Sequence, residues 1–158
     1  MSQLAIAYTV SSDVLPELAS LAGSKKYEQF WKELSARGKP VSPDYDYSGS
    51  VLAIALTCLD EAGLELPLNL SLPAAATIFV DSLGLTVCGN RQDAEHANLL
   101  LSEFSVDKSE LSDYFESFTG EDWHESGEAM SSAIDFLRNG FSQLLQAGSD
   151  DWLLVFIA

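Results

Sequence analysis

Both ends of the chain carry short apolar runs of strand type. Residues 4–10 read Leu-Ala-Ile-Ala-Tyr-Thr-Val and residues 152–157 read Trp-Leu-Leu-Val-Phe-Ile. Each is too short for a buried helix and rich in β-branched and aromatic side chains, so each predicts a strand. Helical periodicity dominates the stretch between them. Strands at the two ends with helices between them predict one α+β domain over residues 1–158. Its sheet is expected to be small and mostly antiparallel, to include both terminal strands, and to pack against about five or six helices.

The helical segments follow from their apolar spacing. Leu15, Leu18 and Ala22 mark the first, with Ser11, Ser12 or Asp13 as its cap and Pro16 in its first turn. Tyr27, Phe30, Trp31 and Leu34 form the stripe of the second, which Gly38 and Pro40 close. Residues 41–49 are expected as a loop. A third helix, capped by Ser48 or Ser50, runs to Ala62 and is apolar on most sides, which predicts a central position. Residues 64–72 alternate, but Pro67 limits them to an edge strand or an extended loop. Residues 76–80 and 85–88 flank a four-residue turn and predict a hairpin, with an apolar helix segment as the alternative. Three more helices follow: one marked by Ala94, Ala97, Leu100, Leu101 and Phe104, one by Leu111, Tyr114, Phe115 and Phe118, and a long one over 126–147.

Charge is distributed very unevenly. Residues 1–40 hold five cations (Lys25, Lys26, Lys32, Arg37, Lys39) against four acids, whereas residues 41–158 hold three (Arg91, Lys108, Arg138) against 20. The net charge of −16 therefore lies entirely in the second part. Mean hydropathy of +0.08 with 10% aromatic residues argues for a folded acidic protein and against disorder. The negative sign disfavours nucleic-acid backbones and anionic lipid, so neither nucleic acid nor membrane is an expected partner. The first residues show no basic, apolar leader pattern, and the cytoplasm is the expected compartment. Cys58 and Cys88 lie in apolar runs, far apart, and are expected as buried thiols outside any disulfide framework.

Three groups of residues are candidates for chemistry. Glu103, Asp107, Glu110, Asp113, Glu116, Glu121, Asp122, Glu125 and Glu128 fall within one acidic stretch relieved only by Lys108. Glu110, Asp113 and Glu116 step by three on the helical face opposite Leu111, Tyr114, Phe115 and Phe118, about 4.5 Å apart along the axis. Such a row suits the basic site of a partner protein, or imitates a row of phosphates, or is simply a solvated face. The loop Asp44-Tyr45-Asp46-Tyr47 interleaves carboxylates with aromatics, a composition suited to a basic or aromatic partner, or to packing on its own domain. His96 and His124 each follow a carboxylate by three residues (Asp93, Glu121), the spacing of a helical metal-ligand pair. Neither belongs to a complete HExxH, and Walker, GxSxG and GxGxxG motifs are absent. No cofactor or metal is expected.

The strand at 4–10 and the stretch 134–157, above all Leu137, Phe141, Ala147, Gly148, Leu153 and Val155, resemble the YfbM-like family of small uncharacterised bacterial proteins. That family opens with a strand and a helix and closes with a long amphipathic helix, a Gly-containing turn and an apolar strand. Before the central helix it places an acidic stretch and a Trp; here Asp44-Tyr45-Asp46 stands there without the Trp. The resemblance implies architecture and no chemistry. Small acidic proteins of this kind include toxin-neutralising immunity proteins. The expected function is therefore a non-catalytic, protein-binding domain, in its sharpest form an immunity-like inhibitor of a basic partner. Asp44, Tyr45, Asp46, Tyr47, Glu110, Asp113, Glu116, Glu121 and Asp122 are its candidate contacts. The alternative is a metal-assisted hydrolase using His96 or His124 with nearby carboxylates.

Overall fold

The two terminal runs pair with each other. In the computed structural model, which describes residues 3–69, 78, 83–148 and 150–158, β1 (Ala5–Ser11) and β4 (Asp151–Ile157) form an antiparallel ladder. It runs from Ala5 opposite Ile157 to Ser11 opposite Asp151. Leu4 and Ala158 extend it by exchanging both backbone hydrogen bonds, at 2.6 and 2.9 Å. Between the two strands lie α1 (Leu15–Gly23), α2 (Tyr27–Arg37), β2 (Lys39–Pro40), α3 (Gly49–Glu61), β3 (Leu85–Gly89), α4 (Arg91–Glu103), α5 (Lys108–Thr119) and α6 (Ser126–Gln146). The sheet order is β2-β1-β4-β3, antiparallel throughout. The chain is thus a single α+β domain with six helices among the described residues.

Strand alternation divides the core in two. Ile6, Tyr8 and Val10 of β1 and Trp152, Leu154 and Phe156 of β4 face one side. There they meet Leu15, Leu18, Phe30 and Leu34 of α1 and α2. Phe30, Trp31 and Phe156 pack edge-on, with ring centroids 5.0–6.0 Å apart. Ala7, Leu153 and Val155 face the other side, against α3, α4, α5 and α6, where Leu52, Leu59, Leu101 and Phe141 are fully buried. The result is three layers: α1 and α2, then the sheet, then the other four helices. The apolar α3 packs on α6 and buries Val51, Leu52, Ile54, Ala55 and Leu59, but Ala53, Leu56, Thr57 and Cys58 stay partly exposed, so it is less central than its composition predicts.

Close approaches fix where the helices cross. α6 is 21 residues long, about 30 Å. At its start a Cβ on Gly127 would stand 2.3 Å from the Lys108 carbonyl oxygen, so glycine lets α5 and α6 touch. Gly84 has φ +69° and accepts the Ile157 N–H at 2.8 Å, and a Cβ there would strike the Ile157 carbonyl. This contact holds the entry of β3 against the end of β4.

Several local expectations need correction. Val14, and none of Ser11, Ser12 or Asp13, occupies the position before α1, because β1 extends to Ser11 and a tight turn uses up the polar residues. Ser48 precedes α3 without a side-chain cap, while the Ser50 hydroxyl turns to Gln3. Lys39 and Pro40 form β2 instead of a helix end. Pro40 lies opposite Tyr8, whose backbone groups face β4, so the missing proline N–H leaves no bond unmade. The first arm of the expected hairpin, and residues 70–72, lie outside the described residues except Ile78, which is buried and helical. Residues 67–69 do lie along the outer edge of β3 as an extended segment. The Cys88 N–H donates to Pro67 (3.0 Å) and the Asn69 N–H to Cys88 (2.8 Å).

Helix propensity alone gives Gly127→Ala a gain of up to about 1 kcal/mol. The contact with Lys108 reverses the sign. The variant is expected to lose about 1–3 kcal/mol in urea unfolding, as overpacked sites do. A stabilised variant would show that α5 and α6 do not approach so closely.

Candidate functional site

The acidic loop is anchored by its aromatics. Tyr45 stacks on Phe136 of α6, with centroids 5.2 Å apart, and its hydroxyl donates to the Ser48 carbonyl at 3.1 Å. Burial, and secondarily Tyr47, raises the ionisation of that hydroxyl above the ordinary tyrosine value. Tyr47 lies edge-on to Trp123 at 6.1 Å, and Trp123 packs on Phe115 of α5 at 5.6 Å. Asp44 and Asp46 alternate with these rings and stay exposed. The packing of Tyr47 on Trp123 thus brings the loop against the turn between α5 and α6, where Glu121 and Asp122 are exposed. Trp123 is a site residue the sequence reading missed. Its signal was available: it is the one large apolar residue in the polar run Glu121-Asp122-Trp123-His124.

On α5, Leu111 and Phe115 are buried, and Glu110, Asp113 and Glu116 are exposed on the opposite side. Phe118, expected in the buried stripe, is 55% exposed and stacks on Tyr114 at 6.1 Å. The neighbouring elements cover only the part of the helix that carries Leu111 and Phe115. The Tyr114 hydroxyl is buried without a hydrogen bond of good geometry; burial, then the Glu61 carboxylate, pushes its ionisation up to about 12. Two of the nine acids have structural duties. Asp107 caps α5 by accepting the Glu110 N–H at 2.9 Å, and Glu128 pairs with Lys108, whose ionisation it raises.

The sheet separates the two charge types. Lys25, Lys26, Lys32 and Arg37 lie on or beside α2, on one face of the sheet, whereas Lys39 stands on β2 opposite Thr9 and lines a hollow with Gln143 and Gln146 of α6. The acidic helix α5 and its turn lie on the other face. Among the described residues, the ion pairs are Arg37–Glu17, Arg91–Glu95, Lys108–Glu128 and Arg138–Asp135. None links a cation of the first forty residues to an acid of the later stretch.

The chemistry-bearing residues are placed differently. His96 and His124 are both exposed, one on α4 and one in the turn before α6. The Asp93 carboxylate, three residues before His96, is engaged in a capping box: it accepts the Asn90 N–H at 3.0 Å and the Asn69 amide at 2.9 Å. No group of three or more His, Cys, Asp or Glu able to hold a metal occurs among the described residues. Both thiols are free. Cys88 is buried as expected, and burial, then Asp93, pushes its ionisation up to about 12. Cys58 is only half-buried, a correction to the expectation, yet burial and Glu61 raise it as well. Both therefore stay protonated at neutral pH, the opposite of an activated nucleophile. Among the described residues no helix is long and apolar enough to cross a membrane.

No protein-family model, curated protein or solved structure matches the chain.

The folded chain keeps the Cys88 proton over a range in which the unfolded chain releases it, from about pH 9 to about pH 12. The native state binds more protons there, so stability falls as pH rises through that window. Cys88→Ala is expected to flatten this decline by on the order of 1–3 kcal/mol, read as unfolding free energy against pH. An unchanged alkaline slope would show that Cys88 is not sealed in the core.

Proposed function

We propose that the chain is a non-catalytic, acidic protein-binding domain that acts in the cytoplasm as an immunity-like inhibitor of a basic partner protein. The observation that carries this reading is the separation of charge by the sheet. Had α2 packed against α5, the cations near residues 25–39 would neutralise the acidic stretch internally. Lys25, Lys26, Lys32 and Arg37 lie on the other face, Lys39 sits at the sheet edge on β2, and the exposed carboxylates Glu110, Asp113, Glu116, Glu121 and Asp122 are left facing solvent. Phe118 and Tyr114 add an aromatic anchor beside them, the residue type that supplies binding energy at interface centres. Carboxylates arranged this way mainly speed encounter with a cationic surface and exclude anionic competitors. The metal-hydrolase reading has no comparable support, since both histidines are exposed and Asp93 serves as a cap.

The test is a titration of isotope-labelled protein with hexalysine, followed by amide shifts. Shifts are expected on α5 and residues 121–124, and to fade as salt shortens the screening length below ~8–10 Å. Neutralising Glu110, Asp113, Glu116, Glu121 and Asp122 to their amides is expected to weaken binding at least about tenfold, since each exposed pair contributes up to about 1 kcal/mol. Shifts spread evenly over the surface, or binding unaffected by the five substitutions, would contradict the reading.

A further inference from the structure

The loop at Asp44–Tyr47 overhangs two hollows, and the edge of β1 opens into one of them. Backbone bonds along an antiparallel strand alternate sides. Leu4 bonds Ala158, so the outward-facing residues are Gln3, Ala5, Ala7 and Thr9. The Gln3 carbonyl accepts the Gly49 N–H (2.7 Å), and the Ala7 carbonyl accepts the Val41 N–H (3.0 Å). Between these two bonds the loop arches away from the strand, and among the described residues no backbone bond reaches Ala5 from that side. The space left is a hollow of about 380 Å³ lined by Ala5, Ala7, Asp44, Tyr45, Asp46 and Phe136 among others. On the other side of the stacked Tyr45 and Phe136 lies a second hollow of about 240 Å³, which shares Asp44 and Asp46 and adds Tyr47, Asp135 and Asn139.

The charge of this surface has one sign. Among the described residues no Lys or Arg lines either hollow. Lys108 is committed to Glu128, and Arg138 to Asp135 and to the carbonyls of Leu101 and Phe104, while Lys39, beside Pro40 of the first hollow, forms no ion pair among the described residues. Asp44 and Asp46 form no ion pair among the described residues. A cationic side chain entering here meets two unpaired carboxylates, a free strand edge at Ala5, and aromatic rings that favour cations over their faces. A planar guanidinium satisfies all three better than an ammonium, because its several donors can divide between carboxylate and carbonyl while its flat face lies on a ring.

We infer that the two hollows astride Tyr45 receive arginine side chains from an extended segment of a basic protein partner, with Asp44 and Asp46 as the anionic contacts and the β1 edge at Ala5 as the backbone contact. This rests on the proposed function, whose basic partner it equips with a particular segment and a particular seat, distinct from the α5 row.

The test uses two acetylated, amidated heptapeptides, one with two arginines among glycines and one with citrulline in their place. Amide shifts on adding the arginine peptide are expected at Ala5, residues 44–47 and Phe136, and not with the citrulline peptide. Asp44→Asn with Asp46→Asn, both at exposed positions that leave the core untouched, is expected to weaken the arginine peptide about tenfold and hexalysine on α5 less than twofold. Shifts confined to α5, or affinity unchanged by the double substitution, would overturn the seat while leaving the acidic-domain reading standing. Failure of both hexalysine and the arginine peptide to bind would overturn both.

Discussion

The ladder between the first and last strands is the constraint on which the molecule depends. β1 and β4 are the middle strands of the sheet, so each side of their pairing carries one helical layer and each outer edge carries one short strand. Phe156 and Trp152 reach into the α1–α2 layer, while Leu153 and Val155 reach into the other. Shifting the register of β4 by one residue would exchange these two sets and place the wrong side chains against both layers at once. Glycines at 84 and 127 then set the distances at which β3 and α5 can join this frame.

The electrical character follows from that frame. The sequence places five of its eight cations in the first forty residues and most of its acids later, and the sheet keeps four of those five, all on or beside α2, from covering the acidic helix α5. The short-range pairs that do form, such as Arg37 with Glu17, stay within one layer. The acidic layer carries its own rigid supports, the chain of rings from Tyr47 through Trp123 to Phe115 and the stack of Tyr45 on Phe136. A loop held this way presents Asp44 and Asp46 without having to be ordered on binding, which reduces the entropic cost of recognition.

Much of this frame was legible in the amino-acid sequence. The terminal strands and all six described helices follow from apolar period, and Gly120 ends α5 in the left-handed conformation that a glycine there implies. What was missed depends on tertiary pairing. Lys39 and Pro40 become a strand only because β1 lies beside them. Phe118 fits the apolar stripe of α5 but remains outside because its neighbours do not extend that far. Among the candidate contacts, exposure of the α5 carboxylates was readable from helical spacing. The junction of Tyr47 with Trp123, and the hollow beneath Tyr45, join residues far apart in the chain and leave no local signature.

The most direct test of the account is a distance across the sheet. Spin labels at Lys32→Cys on α2 and Glu116→Cys on α5, in a chain with Cys58 and Cys88 replaced by alanine, would report the separation of the two charged layers. Two packing layers of about 10 Å each, plus the label arms, predict a single distribution beyond ~25 Å. A population below ~15 Å would place the cations beside the acidic helix and contradict the claim that its carboxylates are left for a partner.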